Sequence, residues 1–65
     1  AVVAIEEAQK LVLNGNRIPV DLVCGETNLK NMQQVRLYDF SQKFIGIYSY
    51  IEENKEYKPV KLFFD

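Results

Sequence analysis

The segment RLYDFSQKFIGIYSYIEENKEYKPVKLFF, residues 36–64, decides the fold class. It holds three stretches rich in β-branched and aromatic residues, separated by two polar turns. Val35 and Leu37 alternate with Arg36 and Tyr38, the period of a strand with one buried face. Asp39-Phe40-Ser41-Gln42 makes a turn, where an Asp carboxylate hydrogen-bonds its own nearby backbone. A long strand over 43–51 follows, then the charged turn Glu52-Glu53-Asn54-Lys55-Glu56. A last strand over 57–64 places Val60, Leu62 and Phe64 on one face. The segment therefore predicts a three-stranded meander. Gly46 interrupts its middle strand, at a cost of about 0.5–1 kcal/mol relative to Ala. An interior glycine marks a bulge, a tight bend or the close approach of another backbone.

Upstream, Val2-Val3 reads as the edge of a strand, and residues 6–13 as a short helix. Ile5, Ala8 and Val12, with Leu11 beside them, form one apolar stripe. Glu6 and Glu7 favour the positive end of the helix dipole, and Glu6 is spaced i, i+4 from Lys10. Asn14-Gly15 supplies a helix stop, with Gly15 able to turn left-handed. Two turns of helix do not persist alone, so this one must pack on a sheet. Residues 17–23 alternate as a strand, with Ile18, Val20 and Leu22 on one face. Pro19 assigns it to an edge or a bulge, and Pro59 does the same in the last strand. Residues 24–34 are polar and without period, and are expected to be a loop. A sheet this short removes its exposed edges by closing into a barrel.

Sixty-five residues make one small domain or a fragment, and such a chain buries only about 60% of its unfolded surface. Hydrophobic content of 48% suffices for one core. The apolar start, Ala1 to Ala4, suggests a chain cut close to a strand. No apolar run reaches the ~18 residues of a membrane span, and no signal peptide is visible. The single Cys24 cannot form an internal disulfide, which favours a reducing, cytoplasmic setting and a small buried apolar role for that residue. Eight basic against nine acidic residues give a net charge of −1. Tight autonomous binding of nucleic acid calls for a basic excess, so any such binding is local and weak, or shared with another domain.

The absence of histidine removes the commonest metal sites and histidine acid–base chemistry. Glu6-Glu7 and Glu52-Glu53 are adjacent pairs that suit solvated surfaces, and Gly15, Gly25 and Gly46 stand too far apart for a phosphate cradle. No catalytic residue, metal ligand, cofactor or small-molecule ligand is expected. What remains is a binding module. Lys10, Asn14, Asn16 and Arg17 gather around the helix end, where Gly15 lets another backbone approach. The plain alternative keeps Gly15 as a helix stop and Lys10 and Arg17 as solvated surface. Lys58 and Lys61 form a second basic patch. Tyr38, Tyr48, Tyr50 and Tyr57 can stack on bases or pack across strands.

KLVLNGNRIPV (residues 10–20), VRLYDFSQKFIGIYS (35–49) and YKPVKLF (57–63) together resemble the C-terminal domain of the bacterial tRNA pseudouridine synthase B family. That family shows a helix ending in Asn-Gly, a V-R-(V/L)-Y-(D) strand, a K/R-F-x-G segment and a closing strand with P-x-(K/R). The resemblance implies a mainly β, PUA-like pseudo-barrel with one short α-helix near the N-terminus, spanning residues 1–65 as a single RNA-binding domain. It implies a tRNA partner, met at the acceptor and T-arm region, and an upstream catalytic domain of the same chain. That larger domain would convert the T-loop uridine to pseudouridine with an aspartate that Asp21, Asp39 and Asp65 do not match. PUA domains turn the short helix, the loop after it and the next strand toward RNA, which points to Lys10, Asn14, Gly15, Asn16, Arg17 and Pro19. Gly46 occupies the family's F-x-G glycine, a barrel-bending position rather than an RNA contact.

Two other functions compete. A small β-barrel can dock a partner peptide, which exposed aromatics forming one groove would favour. An OB-like single-strand binder needs aromatics lined along one strand face. Basic side chains clustered around Asn14-Gly15-Asn16 favour the RNA-binding domain.

Overall fold

The computed structural model describes residues 1–25 and 28–63. The chain runs β1 (Val2–Ala4), a 3₁₀ turn (Glu6–Ala8), α1 (Gln9–Leu13), β2 (Ile18–Pro19), a second 3₁₀ turn (Val20–Leu22) and β3 (Val23–Gly25). The meander follows as β4 (Gln34–Tyr38), β5 (Phe44–Ile51) and β6 (Glu56–Leu62). The six strands form one sheet in the order β2-β6-β5-β4-β1-β3. Its two edge strands, β2 and β3, are separated in sequence only by the 3₁₀ turn. One helical turn thus holds the two edges near each other, and the sheet must curl into a nearly closed barrel. Two backbone bonds pin that connector: Val20 N–H donates to Lys55 O at 2.9 Å, and Ile5 N–H to Leu22 O at 2.9 Å. The mainly β, barrel-like class read from the sequence is the one observed.

The core collects Val2, Ala4, Ala8, Val12, Ile18, Val35, Leu37, Ile45, Tyr48 and Tyr57. Ala8 and Val12 are the buried residues of the expected helical stripe, with Leu11 half-buried against the core. The Asp39 turn forms for the reason given by its sequence. Asp39 Oδ1 accepts N–H bonds from Ser41 (2.8 Å) and Lys43 (2.9 Å), so its buried carboxylate is satisfied locally.

Four expectations need correction. Residues 17–23 are not one strand: β2 stops after Pro19 and the chain turns helically before β3. Ile18 is still buried, and Val20 and Leu22 still pack on the core, so the apolar face survives the break. Residues 24–34 are not all loop, because Val23, Cys24 and Gly25 pair with β1. Cys24 is exposed rather than buried, since it lies opposite Val3 on an edge strand with no second neighbour. Val60 is also exposed, at 53%. A register shift pairs Ile47 with Lys61 but Tyr48 with Pro59, so Val60 is the extra residue of a bulge and turns outward. Leu62 is half-buried as expected, and Phe64 lies outside the described residues.

Both prolines sit where a missing N–H is tolerated. Pro19 is on edge strand β2, and Pro59 lies beside the Val60 bulge, beyond the two β6 residues that β2 covers.

Gly46 is buried between β4 and β6, opposite Leu37 and Leu62. A Cβ there would run into the Lys61 carbonyl oxygen and lie 3.0 Å from Leu62 Cα. The obstacles are backbone, so glycine is required by the close approach of β6 and not by a left-handed φ. A bulge lies on each side: Leu37 pairs with Gly46 but Tyr38 with Phe44, which leaves Ile45 unopposed. Of the roles an interior glycine can play, the one seen at Gly46 is the close approach of another backbone.

Candidate nucleic-acid interface

The helix end is built by backbone hydrogen bonds. Asn16 N–H donates to Leu11 O at 2.9 Å, and Gly15 N–H to Val12 O at 3.2 Å, the paired bonds of a Schellman stop. Gly15 adopts φ +68°, which a side chain would oppose. The stop sends residues 15–19 back alongside β6. A Cβ on Gly15 would lie 3.1 Å from Leu62 Cδ1, Ile18 pairs with Tyr57, and Pro19 pairs with Glu56.

Consequently the segment that follows the helix runs beside β6, the strand that carries Lys58 and Lys61. Lys10, Asn14, Asn16, Arg17 and Pro19 are exposed, Gly15 is half-buried, and Lys58 and Lys61 are exposed on β6. Lys58 and Lys61 stand on either side of the Val60 bulge. The charge of this strip is lower than its cations suggest. Arg17 Nη1 lies 3.7 Å from Glu56 Oε1, and the Arg17 side chain is 49% exposed. A solvated pair of this kind adds little stability, about 0–1 kcal/mol, but it partly answers the Arg17 charge.

The tyrosines divide. Tyr48 and Tyr57 are core residues, and Tyr50 packs across strands on Tyr57 with ring centroids 5.7 Å apart. Only Tyr38 remains on the outer face, and there it meets residues that sequence reasoning did not single out. Its ring lies 5.4 Å from that of Phe44, and Phe44 stacks on Phe63 at 5.5 Å and 28°. Lys61 Nζ sits 5.3 Å from the Phe63 ring centroid. Arg36, Ile47 and Lys61 form the neighbouring cross-strand row. A concavity of about 430 Å³ opens between Arg36, Tyr38 and Phe44. The alternation of Arg36 and Tyr38 with Val35 and Leu37 was the available signal. The bulge at Ile45 was not legible, and it is what puts Ile45 in the core and Phe44 beside Tyr38.

Among the described residues no three His, Cys, Asp or Glu side chains cluster to hold a metal ion, and no helix is long and apolar enough to cross a membrane.

No family model matches the chain. Sequence comparison with curated proteins gives a relative. The chain is similar to a part of tRNA pseudouridine synthase B. It is 38% identical over 64 residues to that protein from Lachnoclostridium phytofermentans, which covers 95% of this chain. The chain spans only 21% of the relative's length. The match agrees with the resemblance carried by residues 10–20, 35–49 and 57–63, and the barrel is compatible with a PUA-like domain.

Proposed function

We propose that residues 1–65 form one PUA-like accessory domain at the C-terminal side of a tRNA pseudouridine synthase. It works in the cytoplasm beside an upstream catalytic domain of the same chain. The domain helps to position tRNA, through its acceptor and T-arm region, while that catalytic domain isomerises the T-loop uridine. The carrying observation is the 38% identity spread over 95% of this chain, on a fold that runs the segment after the helix beside the strand that carries Lys58 and Lys61. The role is one of positioning, not chemistry: neither histidine nor a matching aspartate is present.

In this reading Lys10, Arg17, Lys58 and Lys61 face phosphates. Asn14 and Asn16 offer amides, the left-handed Gly15 removes a side chain from the contact, and Pro19 borders it. Such contacts fix register on RNA without reading sequence. With Arg17 partly answered by Glu56 and Lys61 beside the Phe63 ring, about 2–3 phosphates are neutralised; at a log–log salt slope of about −0.9 per phosphate, raising salt from about 50 to 200 mM weakens binding roughly 10–40-fold. An NMR titration with a tRNA acceptor and T-arm fragment is the test. Lys10→Glu with Arg17→Glu is expected to abolish binding, while melting temperature changes little, since both side chains are exposed. Salt-independent binding, or amide shifts that avoid residues 10–19, would refute the site.

A further inference from the structure

We infer that the outer face of the meander, at the concavity between Arg36, Tyr38 and Phe44, binds an unpaired nucleobase of single-stranded RNA. The surface is centred away from the helix end and shares with the function proposed above its class of ligand and one residue, Lys61.

Three observations carry this. The first is shape. The concavity, about 430 Å³, is a shallow depression open to solvent, a platform rather than an enclosed cleft. Its walls are a phenol, a phenyl ring and a guanidinium, so one flat aromatic guest can meet a ring and a planar cation together. The second is continuity. Tyr38, Phe44 and Phe63 form a run of three rings across the edge of the meander, and Phe63 is 43% exposed. Successive bases stack on such runs whatever their identity, because every base has a π-face. Base pairing buries those faces inside a duplex, so this surface selects an unpaired strand.

The third is charge. β4 and β5 contain no Asp or Glu, and the only acid of β6 is Glu56 at its far end. Glu52 and Glu53 occupy the turn after Ile51. Phe44 and Ile51 are the two ends of β5, about 20 Å apart at the rise of a strand. Glu52, Glu53 and Glu56 are thus remote; Asp39, next to Tyr38, is buried and its Oδ1 accepts the Ser41 and Lys43 N–H bonds, while Arg36 and Lys61 flank the rings. Arg36 forms no ion pair among the described residues. Guanidinium and ammonium groups beside aromatic faces suit the backbone and bases of a nucleic acid strand. An apolar peptide would leave both cations without a partner.

The experiment titrates this chain with short oligouridylate, short oligoadenylate and an RNA duplex, followed by amide shifts. Both single strands are expected to move the amides of residues 36–38, 44–47 and 61–63, and the duplex to leave them in place. Phe44→Leu keeps an apolar side chain but removes the ring, and is expected to weaken binding at least about 5-fold. Arg36→Gln, a change on an exposed side chain, is expected to flatten the salt slope by about 0.7. The inference is overturned if single strands leave the meander unmoved, if Phe44→Leu and Arg36→Gln bind as tightly as the parent, or if an acidic peptide binds there and RNA does not. Shifts at residues 10–19 with the tRNA fragment report on the other site, so either reading can fail alone.

Discussion

The helix end and the outer face of the meander are the two basic places along β6, and they are built differently. At the helix end the cations come from α1, from the segment before β2 and from β6, no ring contact with a cation is seen among the described residues, and Arg17 is held near Glu56. On the meander Arg36 and Lys61 border three rings. The first arrangement suits phosphates and the second suits bases. A net charge of −1 hides both, because the acids Glu52, Glu53 and Glu56 gather at one end of β5 and β6. Each place also depends on a glycine, again for different reasons. Gly15 supplies a left-handed φ, whereas Gly46 clears space for a neighbouring strand.

Gly46→Val gives the largest expected effect. Its side chain would collide with the Lys61 carbonyl oxygen and crowd Leu62 Cα, and backbone cannot rotate aside as a side chain can. β6 would have to move away from β5, opening the Gly46–Leu62 pairing and the bond from Phe63 N–H to Ile45 O. The intrinsic cost of glycine in a strand, about 0.5–1 kcal/mol, is outweighed by that ladder and by the burial it permits. A loss of about 2–3 kcal/mol is expected in denaturant unfolding, a large share of the total for a chain this small. An unchanged midpoint would mean that β6 shifts freely and that Gly46 is merely tolerated.

Gly15→Ala is expected to cost less, about 1–2 kcal/mol, the penalty of a left-handed L-residue. The added methyl meets only the end of the Leu62 side chain at 3.1 Å, which can turn away. Gly15→Asn should cost less still, because asparagine tolerates that conformation. Equal losses for Gly15→Ala and Gly46→Val would erase the distinction between a conformational and a steric glycine.

The meander and the helix stop were legible because their signals are local: alternation, turn residues, and Asn-Gly after an apolar stripe. The break after Pro19 and the strand at Cys24 were not. β2 has two residues and β3 three, too few to show a period, and β3 exists through its backbone pairing with β1. The phase of β5 and β6 was also hidden. One extra residue at Ile45 and another at Val60 reverse which side chains face the core, and a strict period of two cannot anticipate that. The helix-end candidates follow from contiguous sequence. The aromatic face unites Tyr38, Phe44 and Phe63 from separated segments, and its assembly depends on a bulge.

The smallest effect at neutral pH is expected at Tyr48, on the inner side of the same strand. Its side chain is fully buried, and its hydroxyl has no hydrogen-bond partner among the described residues. Removing a buried polar atom that makes no protein hydrogen bond costs little, so Tyr48→Phe should lie within about 0.5 kcal/mol of the parent at pH 7. Alkaline conditions separate the two. Burial raises the Tyr48 phenol above its usual value near 10, because the phenolate loses hydration inside the barrel. The unfolded chain therefore releases this proton first. Stability contributed by the neutral phenol is intact below about pH 10, then falls by up to about 1.4 kcal/mol per pH unit until the folded-state value is reached. Tyr48→Phe cannot lose that proton, so its stability should exceed the parent's above about pH 10 while matching it at pH 7. Every other residue is common to both proteins, so the difference between the two curves isolates Tyr48. Parallel curves would place the alkaline loss outside the interior of the meander. Diverging curves would show that one strand excludes charge on its inner side while holding cations beside its outer one.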